Sequence, residues 1–331
     1  MNQVPAPRGV FKSIFQWFCP PKQDDTVPQN MSERLDWGRL MPFIAMHLAC
    51  LLVFFVGWSW LAISIAVFLY ALRVFTLTGF YHRYFSHRAF KTSRLVQFIF
   101  AAIGCSAVQR GPLWWAAHHR HHHKTSDEPD DLHSPKQKGI FWAHMAWFLT
   151  PRAQRTNLKL IPDFAKYPEL RFLDRFDLVM PVLLALSLFG FGELVALGAP
   201  ESGVTGFQLL VWGFFISTIA CYHVTYLVNS ATHLIGTRRY ETKDDSKNSL
   251  VVALLTFGEG WHNNHHYYPN STRQGFFWWE IDLTFYVLTF MSKLGLVWDL
   301  KGVPERILYP KPKAAPEPIP MQAEPVTVHA S

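Results

Sequence analysis

Long apolar runs separated by short, strongly polar segments set the pattern of this chain. Residues 41–81 form one apolar stretch. A hydrocarbon core about 30 Å thick takes roughly 20 residues of helix, so the stretch holds two spans. Gly57 and Trp58 sit near its middle, where a tight turn fits, and the spans fall at 41–56 and 59–80. A second apolar region covers 176–198 and 206–228, broken by the turn-forming run Gly198-Ala-Pro-Glu-Ser-Gly203. The pattern predicts an all-α membrane protein with four transmembrane helices in two hairpins. Residues 275–297 open on Gly-Phe-Phe-Trp-Trp but carry Glu280, Asp282 and Lys293, which predicts an interfacial helix rather than a fifth span. From about Tyr309 the chain is rich in Pro, Ala and Glu and is expected to be disordered. On this reading 1–40 is a partly disordered N-terminal arm, 41–300 the main domain and 301–331 a tail. Phe11–Phe18 in the arm has two open readings, a helix lying on the membrane surface and a flexible tail.

Composition strengthens the membrane reading. Half of the 331 residues are hydrophobic and only 17% are charged, against about 25% in an ordinary soluble domain. The net charge of +7 would suit nucleic acid or an anionic membrane face, and the apolar runs decide for the membrane and against nucleic acid. Lys and Arg are absent from Phe176 to Thr237, whereas His82 to Arg175 carries fifteen. By the positive-inside rule, both termini and the long middle segment are cytoplasmic, in a multi-pass protein. A bacterial cytoplasmic membrane is favoured over endoplasmic reticulum. The four cysteines form no C-x-x-C pair, and the N-terminus lacks the features of a signal peptide. Arg73 lies inside the second span. It either faces the bundle near a polar site or snorkels to the interface.

Sixteen histidines change the picture from scaffold to chemistry. They gather in His82-Arg-Tyr-Phe-Ser-His87, His118-His-Arg-His-His-His123 and His262-Asn-Asn-His-His266, with Asn229 and His233 at the cytoplasmic end of the fourth span. Residues three and four apart share a helix face, so His262, His265 and His266 converge. In the second box two sets fit that spacing, His119 with His122 and His123, and His118 with His121 and His122. His82 and His87 are five apart and meet only where a helix ends or bends. Converging imidazoles repel one another if charged, whereas neutral imidazole binds iron, zinc and copper well. His47 and His223 are the histidines embedded within spans.

The order H-x4-H, H-R-x-H-H, H-N-x-H-H resembles the membrane fatty-acid desaturases, most closely the acyl-CoA 9-desaturase group. Asn229-Ser-Ala-Thr-His233 and Gly258-Glu-Gly-Trp-His262 also fit, and the resemblance runs from about Met41 to Asp299. It implies a cytoplasmic helical domain capping the spans and holding two irons. The implied ligands are His82, His87, His119, His122, His123, His233, His262, His265 and His266, with Asn229 acting through water. The family's Arg after the first ligand of the second box matches Arg120, which leaves His118 and His121 as candidates for a supporting or incidental role. The implied reaction is O2-dependent desaturation of a saturated acyl chain, with a cis bond at Δ9. The implied substrate is fatty acyl-CoA, with acyl-lipid and acyl-carrier forms open because His118 stands where many animal enzymes have an acidic residue. No electron-transfer domain is fused to the chain, which implies a separate carrier, a cytochrome b-type haem protein or a ferredoxin, with its reductase. Trp114 and Trp115 are expected either in the substrate tunnel or in a core or interfacial position, and Asp127-Glu-Pro-Asp-Asp131 either as a solvated loop or, as the lesser alternative, in support of the ligands. Two other readings stay open, a histidine-rich di-iron hydroxylase or monooxygenase and a metal transporter.

Overall fold

The computed structural model describes residues 32–309. Phe11–Phe18 and the tail after Tyr309 lie outside them. The described chain is mostly helical, and four of its helices are long and apolar enough to cross a membrane: α1, Trp37–Val56; α2, Trp60–Ser86; α6, Val179–Gly198; and α7, Gly206–His233. Between them lie α3 (Arg94–Cys105), α4 (Pro112–Thr125) and α5 (Pro168–Arg175), and after them α8 (Leu250–Leu255), α9 (His262–Tyr267) and α10 (Leu283–Lys293).

Capping explains where the first two spans begin. Asp36 accepts from the Gly38 amide at 2.9 Å, so α1 starts before its apolar run. It ends at Gly57, whose φ of +65° suits a residue without Cβ. Ser59 then accepts from the Ala62 amide at 3.1 Å and opens α2.

The far ends of α2 and α7 depart from the hydropathy pattern. The expected spans stop at 80 and 228, but the helices run on to Ser86 and His233. Hydropathy assumes that polar side chains leave the bilayer, whereas residues 81–86 and Ser230, Thr232 and His233 are buried against protein. The expected interfacial helix over 275–297 is helical only at Leu283–Lys293. Asp282 caps it by accepting from the Phe285 amide at 2.9 Å, and Glu280 is buried ahead of it.

The main core lies where α2 meets α3 and α4, with Val74, Leu77, Phe80, Tyr81 and Phe85 among its members. The Phe80 and Phe100 rings stack with centroids 4.0 Å apart. Arg73 faces this interior and does not snorkel. It is fully buried and donates to the Leu69, Ser106 and Gly213 carbonyls and to the hydroxyls of Thr218 and Ser217. The side chain thereby ties α2 to α7 inside the bundle. A two-stranded pair, β1 (Lys91–Thr92) with β2 (Val297–Trp298), fastens the C-terminal region beside the end of α2.

Candidate metal centre

The last eleven residues of α2, Thr76–Ser86, are π-helical. This answers the five-residue spacing of the first box. In a π-helix the amide bonds to the carbonyl five residues back, and the His87 amide donates to the His82 carbonyl at 3.3 Å. His87 therefore closes the last turn over His82, their rings 5.0 Å apart. Arg120 holds that end in place. Its guanidinium donates to the Phe85, Ser86 and Leu160 carbonyls and forms a two-pronged pair with Asp163, both contacts at 2.9 Å.

The second box lies on α4 and the third on α9. Two glycines let the third box approach. Gly258 has φ +130°, and a Cβ on Gly260 would stand 2.1 Å from the Ala253 amide nitrogen in α8. The Asn264 side chain donates to Glu280 and to the Gln274 carbonyl, pinning α9 from below.

These elements gather nine histidines into two groups. His82, His87, His119, His123 and His265 form one, and His122, His233, His262 and His266 the other. Within each group one ring nitrogen per residue lies within 4.8 Å of all the others. Nε2–Nε2 separations are 2.8 Å for His87 and His119, 2.9 Å for His119 and His123, 2.9 Å for His123 and His265, and 3.0 Å for His82 and His265. A neutral imidazole has one proton to share, so a ring of nitrogens cannot satisfy itself.

The outer nitrogens explain which way the rings point. Asp131 takes His122 Nδ1 at 3.0 Å, Asp127 takes His233 Nδ1 at 2.9 Å, Asp244 takes His266 Nδ1 at 2.6 Å, and Glu259 sits against His82 Nδ1. Each carboxylate lies on Nδ1 and leaves Nε2 facing inward, the arrangement found behind metal-binding histidines. The Nε2 of His266 is buried without a hydrogen-bond partner. A donor set of clustered neutral imidazoles with no thiolate fits iron, zinc or copper, and iron fits these residues.

Burial and crowding favour the neutral form in six of the nine rings. Desolvation first, and the neighbouring histidines second, push His87, His119, His123, His262 and His265 well below the usual histidine value. His266 falls to about 4, burial outweighing the pull of Asp244. His122 rises instead, because Asp131 overcomes its burial. Asp127, Asp131 and Asp244 are held below the usual carboxylate range against their own burial, by His233, His122 and His266 respectively.

Asn229 lies with His82, His119, His122 and His262 on the wall of a cavity whose apolar side includes Val74, Leu77 and Val228. Trp115 lines this cavity, whereas Trp114 is buried against Trp147 in the core. Of the two alternatives in the second box, the rings of His119, His122 and His123 enter the groups. His118 turns away to the Trp114 carbonyl at 2.9 Å and His121 to the Asp130 carbonyl at 3.1 Å.

The acidic stretch after the second box is not simply a solvated loop. Glu128 and Asp130 are exposed, but Asp127 and Asp131 are buried on His233 and His122. Asp127, Asp131, Asp244 and Gln274, which meets His82 Nδ1 at 3.2 Å, were not singled out by sequence spacing. Glu259 stood inside the Gly258–His262 motif. His47 and His223 stand apart from both groups. They face each other at 3.2 Å, and His144 meets His223 at 3.1 Å.

Known proteins match most of the length of the chain. A family model described as fatty acid desaturase matches residues 30–298. The chain is 38% identical to the palmitoyl-monogalactosyldiacylglycerol delta-7 desaturase of Arabidopsis thaliana, covering 81% of this chain and 69% of the relative. It is 34% identical to the sn-1 stearoyl-lipid 9-desaturase of Anabaena variabilis, over 83% and 97%. It is 37% identical to the acyl-CoA 5-desaturase AL21 of Anemone leveillei, over 79% and 78%.

Proposed function

The chain belongs to the fatty acid desaturase family, and on that premise we propose that it inserts a cis Δ9 double bond into a saturated acyl chain at a centre of two irons. It is an oxidoreductase acting on acyl lipids or acyl-CoA. The observation that carries the proposal is the pair of histidine groups bordering one partly apolar cavity. The Δ9 position rests on the Anabaena relative.

In this reading His82, His87, His119, His123 and His265 hold one iron. His122, His233, His262 and His266, with Asn229 through water, hold the other. Two irons bound there supply the dioxygen activation that no side chain provides for an unactivated methylene. The overall reaction takes two hydrogens from adjacent carbons, two external electrons and two protons, and returns dioxygen as two waters. Val74, Leu77, Val228 and Trp115 hold the acyl chain against the histidines and keep bulk water away. Asp127, Asp131, Asp244 and Glu259 keep the imidazoles in the binding tautomer. The electrons come from a separate small carrier with its reductase.

The four spans form two hairpins with both termini on the cytoplasmic side of a bacterial membrane. The helices from α3 to α5 and from α8 to α10 cap them, within a desaturase domain over 41–300. The placement of Lys and Arg supports this topology.

Expression in a strain lacking its own desaturase, followed by fatty-acid profiling, tests the proposal. The expected result is a new Δ9 monounsaturated species that disappears in His262→Ala. A hydroxylated product without a new double bond, or an unchanged profile from inserted and metallated protein, would overturn it.

A further inference from the structure

Helix α8 has a composition that a water-facing helix does not have. Its six residues, Leu250-Val-Val-Ala-Leu-Leu255, are all apolar. Val252 and Ala253 form the buried side, and the opposite side exposes Leu250, Val251, Leu254 and Leu255, with Val251 68% exposed. A surface helix in water carries polar residues on its outer face. The segment that follows α7 runs alongside. The Lys247 amide donates to the Thr232 carbonyl and its ammonium to the Leu234 carbonyl, which brings exposed Leu234 and Ile235 next to α8. The result is a patch of six apolar side chains outside the four spans.

The patch is continuous with the sides of the spans. Leu234 follows directly on α7, α8 packs on α7, and the Tyr70 hydroxyl of α2 donates to the Leu255 carbonyl at 2.7 Å. Lys243 is exposed and Lys247 half-buried in the loop just before α8, the flanking expected where a helix sits at the bilayer interface. Patch and cavity are served by consecutive residues of the chain. Leu254 and Leu255 face outward, while the next residue, Thr256, lines the cavity with Val74 and Thr78.

We propose that α8, with Leu234 and Ile235, is a wedge seated in the bilayer, and that the acyl chain enters the cavity laterally beside it from a lipid of that bilayer. The route passes Thr256, under the Tyr70–Leu255 contact. This rests on the desaturase reading and narrows its substrate to an acyl chain carried by a membrane lipid.

Two measurements test it. The first uses single cysteines at Val251→Cys and Lys243→Cys in full-length protein with Cys19 and Cys50 replaced by serine, reconstituted in nanodiscs and treated with a membrane-impermeant maleimide. Val251→Cys is expected to label at least tenfold more slowly than Lys243→Cys, and equal rates would overturn the wedge. This result does not depend on activity. The second supplies whole lysate of the expressing strain that makes the Δ9 species, in which membranes and soluble electron carriers are both retained, with either stearoyl-CoA or an isotope-labelled octadecyl ether phospholipid. The ether-linked chain cannot be hydrolysed off and passed to coenzyme A. Its desaturation is the expected result. Desaturation of stearoyl-CoA alone would overturn the lateral route and leave the desaturase reading standing, and turnover of neither would overturn both.

Discussion

At the scale of single residues, four carboxylates each orient one of the nine imidazoles, and one arginine holds the turn that carries a fifth. Asp131 and Asp244 each lie on one Nδ1. Losing such an orienting carboxylate typically costs 10–100-fold in metal affinity. Asp131→Asn and Asp244→Asn are therefore each expected to lower iron affinity within that range while the fold persists, as read by iron titration of purified protein alongside circular dichroism. Unchanged affinity in both would show that the carboxylates are incidental. The third box was legible in the sequence, because three and four residue spacings put rings on one face wherever a helix forms, whereas the five-residue spacing of His82 and His87 needed the π-helical turn and the second box fitted two sets. The carboxylates were less so. Asp127 meets His233 across 106 positions of chain, and no local pattern separates it from Glu128 and Asp130, which face solvent.

At the scale of elements, the π-helical end of α2 brings the first box together, and Arg120 locks it. Substituting lysine keeps the charge but loses the planar fork that spans three carbonyls and a bidentate carboxylate. Arg120→Lys is expected to destabilise the protein by about 2 kcal/mol, within the range for hydrogen bonds to charged groups. It should also lower iron occupancy by loosening His87 against His119. Thermal unfolding and metal analysis on one preparation check both, and a variant matching the parent in each would remove Arg120 from this role. Gly260→Ala is expected to be worse, because the new Cβ meets backbone in α8 rather than a movable side chain. Its test is a lowered unfolding temperature with reduced metal content. Hydropathy located the four long apolar helices among the described residues but stopped short at 80 and 228. The polar residues beyond those points are buried by partners distant in sequence, which a local average does not register.

At the scale of the whole molecule, the centre concentrates buried imidazoles that the fold holds neutral. A histidine whose value is lowered in the folded state contributes stability that is complete above the unfolded value of about 6.5. That contribution is lost as pH falls from 6.5 toward the folded value. His87, His119, His123, His262 and His265 are all lowered in this direction, and His266 to about 4. For His266 alone the interval is worth about 3 kcal/mol at 1.36 kcal/mol per pH unit. His122 works the other way, its pairing with Asp131 gaining weight as the ring protonates, but one raised group does not offset six lowered ones. Metal-free protein is therefore expected to lose stability steeply between pH 6.5 and 4 while remaining flat from 7 to 8. Iron-loaded protein should resist until acid competes for the nitrogens, since a bound metal stabilises the state that binds it. Unfolding temperatures of both forms across pH 4–8 measure this. A metal-free profile without the acid-side fall would mean that the two groups are not the dense, neutral imidazole clusters on which the desaturase reading rests.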